Sequence, residues 1–110
     1  MYESRQLRIF VFKNSMTELE KYREQIDNID KKLIDLLAER FEYSARIGEL
    51  KHKRGISVLQ SSRWDSIMAS RKEYAVKAGL TGEFTADFLC LVHNESIRIQ
   101  NEITQGGNDS

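Results

Sequence analysis

Proline is absent from the 110 residues, glycine occurs six times and cysteine once. Without proline and with so few glycines, long helices meet almost no interruption, and no alternating run is long enough to build a sheet. A lone Cys90 excludes a disulfide framework. No apolar run approaches the roughly 20 residues that span a bilayer. The first fifteen residues carry a short apolar patch, Leu7 to Phe12, without the small-residue cleavage site of a secretory signal. Net charge is also missing: seventeen basic residues cancel seventeen acidic ones, which argues against a nucleic-acid or anionic-membrane partner. These absences predict a soluble, cytoplasmic, all-α protein with one domain.

Three helices fit between the glycines. Ser15-Met16-Thr17-Glu18 has the form of a capping box, and from there to about Lys53 the sole breaker is Gly48. Arg54 to Gln60 reads as a loop. Ser61 or Ser62 is the expected cap of a second helix ending near Ala78, and Gly79-Leu80-Thr81-Gly82 turns into a third, Glu83 to about Thr104. The expected organisation is a tail or linker over 1–15, a domain over 16–105 and a disordered tail over 106–110.

The first helix, at roughly 36 residues, would extend about 54 Å, more than one small chain can cover. Read in heptads it carries Leu19, Ile26, Leu33, Arg40 and Ile47 in one column and Tyr22, Ile29, Leu36, Tyr43 and Leu50 in the other. That is an a/d seam broken only by Arg40, and it predicts a homodimer of paired long helices with the shorter ones packed around them. Arg23 and Lys51 fall at the margin of the seam.

Cations beside a core need a reason. A polar residue at a seam position can fix register, and a basic side chain can snorkel to solvent. Yet Arg40 and Lys51 project from nearly the same side, about 16 Å apart along the axis. In the third helix the expected core series Phe84, Phe88, Val92, Ile99 and Ile103 is interrupted by Ser96 and Gln100. Arg63 stands in the first turn of the second helix, where its charge adds to the positive helix end. Burying Arg40, Lys51 and Arg63 without internal acids would cost several kcal/mol, which implies an anionic ligand, with Asp30 and Glu39 as the acids that could neutralise part of the cluster. No glycine-rich phosphate loop, HExxH or Cys/His metal spacing is present, His52 and His93 belong to no motif, Lys51 to Arg54 reads as a solvated helix end, Cys90 as a small core residue, and Trp64 as a packing residue.

From Leu19 to Ile103 the chain resembles the all-helical class of chorismate mutases. The resemblance rests on Tyr22-Arg23-Glu24-Gln25-Ile26-Asp27-Asn28-Ile29-Asp30, Leu36-Leu37-Ala38-Glu39-Arg40, Ile47-Gly48-Glu49-Leu50-Lys51 and Glu95-Ser96-Ile97-Arg98-Ile99-Gln100, in this order and spacing. It implies an intertwined homodimer and an isomerase that converts chorismate to prephenate, on the route to phenylalanine and tyrosine, without cofactor or metal. It makes Arg40 and Arg63 carboxylate binders, with Arg23 completing the clamp from the other subunit. Lys51 and Gln100 would hold the ether oxygen, Ser96 would assist a carboxylate, and Gln60 would lie near the ring hydroxyl. It also allows fusion to another enzyme of the pathway.

The chain departs from the family pattern at Trp64, where a glutamate often contacts the ring hydroxyl. Three consequences are open: Gln60 takes over that contact, activity is weaker, or the substrate is a relative such as isochorismate or aminodeoxychorismate. Two other functions compete, a lyase that eliminates pyruvate from isochorismate on the same scaffold, and a non-catalytic helical dimerisation or regulatory module.

Overall fold

A computed structural model describes the backbone of residues 5–109 and the side chains of residues 17–104. Three helices follow one another: α1 (Arg5–Arg54), α2 (Ser61–Lys77) and α3 (Gly82–Asp109), with no strand among the described residues. The chain divides into two compact units, Met1–Ala38 and Glu39–Ser110.

Two helix boundaries differ from the sequence expectation. The helix runs through Ser15 and begins at Arg5, so the expected capping box does not start it. A capping box is a local preference worth about 1 kcal/mol, and nothing upstream of Ser15 breaks a helix. At the other end α3 continues to Asp109, past the expected Thr104 and into the segment expected to be disordered. The first four residues of the expected tail and Ser110 lie outside the described residues.

Within the Met1–Ala38 unit, the described residues of α1 carry the predicted seam with no cover. Leu19, Tyr22, Ile26, Ile29, Leu33 and Leu36 are 48–64% exposed. The Glu39–Ser110 unit is built differently. Here α2 packs on α3, and the buried apolar residues are Ile67 and Ala75 from α2 and Val92 from α3. Ser44, Thr85, Ser96 and Gln100 are buried beside them, an unusual share of polar groups for so small a core. The buried stripe of α3 therefore runs through Thr85, Val92, Ser96 and Gln100. Phe84 and Phe88, expected in the core, are exposed and stack on one another at 6.1 Å between ring centres. Cys90 is exposed too, contrary to its reading as a core residue.

Glycine ends the first two helices by the same device. Gly55 (φ 65°) and Gly79 (φ 99°) adopt the left-handed conformation that a side chain disfavours. In each case the next residue's N–H reaches back five residues, Ile56 to the Lys51 carbonyl at 2.9 Å and Leu80 to the Ala75 carbonyl at 2.9 Å. This is the Schellman closure. The start of α3 is capped by Thr81, whose hydroxyl accepts the Phe84 N–H at 3.3 Å.

Candidate active site

Where α1, α2 and α3 converge, a cavity of about 180 Å³ opens within the Glu39–Ser110 unit. The last turns of α1 contribute Arg40, Ser44, Ile47 and Lys51. Val58 and Gln60 come from the loop, and Arg63, Trp64 and Ile67 from α2. The fourth wall is α3, through His93, Ser96, Ile97 and Gln100. Six residues singled out in the sequence thus line one space: Arg40, Lys51, Gln60, Arg63, Ser96 and Gln100. Arg23 is not among the lining residues; it stands exposed on α1 in the Met1–Ala38 unit.

Two hydrogen-bonded groups organise the polar walls. At one, Arg40 Nη1 donates to Ser96 Oγ at 2.8 Å, and Ser96 Oγ is in turn 2.8 Å from Ser44 Oγ. The two serines are thereby satisfied, and the guanidinium is held with further N–H groups to spare. At the other, Lys51 Nζ donates to the Val58 carbonyl at 2.8 Å and to Gln100 Oε1 at 3.1 Å. The cap at Gly55 makes this possible, because reversing the chain there brings Val58 back over the helix that carries Lys51. With its oxygen turned to Lys51, the Gln100 amide keeps both N–H donors, and Lys51 keeps one.

Gly48 sets the spacing of this second group. A methyl placed there would lie 3.1 Å from the Gln100 Cα, 3.2 Å from its Cγ and 3.3 Å from its Cβ. The missing side chain lets α1 approach α3 closely enough for Lys51 to meet Gln100.

The site is cationic without internal compensation. No aspartate or glutamate lines it, and neither Asp30 nor Glu39 is among its walls. Arg40 is pushed below its ordinary pKa, first by burial and then by the positive charges of Arg71 and Arg63. Burial alone lowers Lys51. His93 is also lowered, by burial and secondarily by Arg40, so its imidazole stays neutral at pH 7. An anion would relieve all of these strains together.

Three features escaped the sequence reading. Trp64 and His93 stack at 4.0 Å between ring centres with 24° between planes, forming one wall of the cavity. Arg71 adds its field from α2, one turn beyond Ile67 and one turn before Ala75 on the same face of the helix. The third is the start of α2: Gln60 is its N-cap in extended conformation (φ −128°, ψ 96°) with no side-chain capping bond, in place of Ser61 or Ser62. Its carbonyl accepts the Trp64 N–H at 3.1 Å, closing the first turn, and the residue lines the cavity.

The model of the family described as chorismate mutase type II matches residues 22–101. The chain belongs to this family. The match starts on α1 and ends on α3, so it takes in every lining residue of the cavity, and it fits the all-α architecture. Among curated relatives, a T-protein of Enterobacter agglomerans is 38% identical over 87 residues, 79% of this chain and 23% of the relative. A T-protein of Haemophilus influenzae is 31% identical over the same shares of the two chains. A 4-amino-4-deoxychorismate mutase of Streptomyces venezuelae is 25% identical over 83 residues, 76% of this chain and 81% of the relative. The chain spans about a quarter of the length of the two T-proteins it matches. No helix among the described residues is long and apolar enough to cross a membrane, and no cluster of His, Cys, Asp and Glu among them could hold a metal ion.

Proposed function

We propose that this type II family member is a chorismate mutase, converting chorismate to prephenate in the synthesis of phenylalanine and tyrosine. The observation that carries the reading is a small cavity with three cations, no acid and a Lys51–Gln100 donor pair held before any ligand arrives. The rearrangement is intramolecular and needs neither nucleophile nor proton transfer. One carbon–oxygen bond breaks as a carbon–carbon bond forms, and negative charge grows on the ether oxygen as the first lengthens. Arg40 and Arg63 bind the carboxylates and Ser96 assists, since guanidinium forks match carboxylates in two-point contact. The free N–H of Lys51 and those of Gln100 converge on the ether oxygen, a two-donor arrangement of the oxyanion-hole type. Binding the reactive conformer supplies the remaining acceleration.

The enzyme works as a homodimer in this reading. The bare seam of α1 and the exposed Phe84–Phe88–Leu91 stripe of α3 are the apolar surface a second copy would cover. Arg23 then completes the carboxylate clamp in trans. Residues 16–105 form the catalytic domain, cytoplasmic and open to fusion with another pathway enzyme. A second reading, favoured by the name of the Streptomyces relative, is that the substrate carries an amino group in place of the ring hydroxyl.

Incubation of purified protein with chorismate, followed by NMR, tests the activity: prephenate is expected, and pyruvate released without prephenate would sink it in favour of a lyase. Mixing Arg23→Ala and Arg40→Ala chains tests the trans clamp. Random pairing makes half the dimers mixed with one intact site each, so about a quarter of the sites should recover.

A further inference from the structure

Ser44 stands one turn from Arg40 on the same face of α1. It lines the cavity, is only 5% exposed, and has no part in the chemistry proposed above. A hydroxyl inside a helix commonly returns its proton to the carbonyl four residues back. In α3, Thr85 does so to Thr81 at 2.8 Å and Thr104 to Gln100 at 2.9 Å. Among the described residues Ser44 makes no such bond. Its hydroxyl reaches across to α3 instead and lies 2.8 Å from Ser96 Oγ.

The protons of the pair decide what each serine can offer a ligand. Ser96 Oγ already accepts from Arg40 Nη1 at 2.8 Å, which leaves it one lone pair and one proton. When Ser44 donates into that lone pair, both acceptor sites of Ser96 are filled from within the protein. The Ser96 proton is then left to face the cavity that Ser96 lines. With the reverse polarity the unused proton would sit on Ser44, one hydroxyl further from the guanidinium. A carboxylate gripped by the remaining N–H groups of Arg40 lies beside Ser96, the oxygen bonded to that guanidinium, so the anion selects the first arrangement. Two donations into Ser96 Oγ also strengthen the bond its own proton makes.

We propose that Ser44 is a positioning residue for the mutase reading, on which its role rests: by donating to Ser96 it commits the Ser96 hydroxyl to donate to a substrate carboxylate. Without Ser44 the Ser96 hydroxyl can rotate, and orientations that turn an oxygen lone pair to the anion repel it. The carboxylates keep their charge throughout the rearrangement, whereas the ether oxygen gains its charge at the transition state. A device acting on a carboxylate therefore serves ground and transition states alike, and its loss is carried by KM rather than kcat.

The test uses the full chain, Ser44→Ala, Ser96→Ala and the double variant; alanine favours the helix, so α1 is retained. Chorismate binding is followed by stopped-flow fluorescence of Trp64, the sole tryptophan and a lining residue, and kcat and KM by prephenate formation. Ser44→Ala should raise Kd and KM about three- to tenfold, the size of one net hydrogen bond, with kcat falling by less than about twofold. In the Ser96→Ala background the same substitution should change Kd by less than about twofold. A wild-type Kd in Ser44→Ala, or a change confined to melting temperature, overturns the proposal. An equal effect with and without Ser96 overturns it too, by making Ser44 a direct contact of the ligand. Prephenate formation unmoved by Ser44→Ala would remove the positioning role and leave the mutase reading intact. A Ser96-dependent loss of chorismate binding in a chain that forms no prephenate would do the reverse.

Discussion

The same heptad seam runs through both units of the chain, and its apolar residues are exposed in each, but its surroundings differ. In Met1–Ala38 it is regular, apolar and bare: Ile29 and Leu33 are about half exposed. In Glu39–Ser110 it is interrupted by Arg40, and the polar residues near that interruption, Ser44, Ser96 and Gln100, are among the most buried in the molecule. Tyr43, Ile47 and Leu50 of the seam stay exposed in this unit as well, so what the chain buries here is the polar set around the interruption rather than the seam itself. In the proposed reading, the regular stretch is the surface a second copy would cover and the polar set around the irregular one is the ligand site.

The largest effect should come from breaking the regular half. Ile29→Asp places a charge in the middle of the seam, where a dimer would bury it unpaired at a cost of several kcal/mol. Sedimentation should show the assembly falling to monomers, with turnover lost as well; a variant that stayed dimeric would place the dimer interface elsewhere. In the irregular half, Lys51→Ala should lower kcat by about 10²–10³ or more while leaving helicity and oligomeric state unchanged. Survival of turnover would remove Lys51 from its role.

Gly48→Ala comes next. Its methyl would meet backbone as well as side chain of Gln100, so α1 and α3 must part, with an expected stability loss of about 1–3 kcal/mol. Calorimetry gives that figure. The accompanying drop in kcat should vanish in a Gln100→Ala background if the glycine acts through Gln100.

Smallest is the pH effect at His93. Its folded pKa is lowered from 6.5, so between 6.5 and that lower value the unfolded chain binds more protons than the folded one. Stability is therefore full above about pH 6.5 and declines as pH falls through this window. His93→Gln should flatten the decline in urea titrations at pH 5 and 7. An unchanged slope would assign the acid sensitivity to other groups.

Much of this was legible from spacing. Gly55 and Gly79 stop their helices because only left-handed backbone lets the chain turn back there, and the odd polar positions at Arg40, Ser96 and Gln100 do converge. What escaped depends on neighbours remote in sequence. Helix α3 buries Val92 as expected, but one turn and more upstream its own sequence does not say which stripe its chain covers, and Thr85 is buried where Phe84 and Phe88 were expected. The Trp64–His93 stack joins two helices that share no local pattern. Ser15 and Ser61 look like caps, but a cap begins a helix only where the preceding backbone is free to leave it, and at Ser15 it is not.

Lys51 has a thermodynamic consequence of its own. Two of its three ammonium hydrogens are committed to Val58 and Gln100, and Ile56 pins the carbonyl of the same residue. A lysine on a free four-carbon stem would have to be ordered each time charge develops beside it. Here the ordering is complete when the chain folds, so its entropy cost belongs to folding rather than to the barrier. A unimolecular rearrangement in such a site should show an activation entropy near zero, with the gain over water appearing as a lowered activation enthalpy.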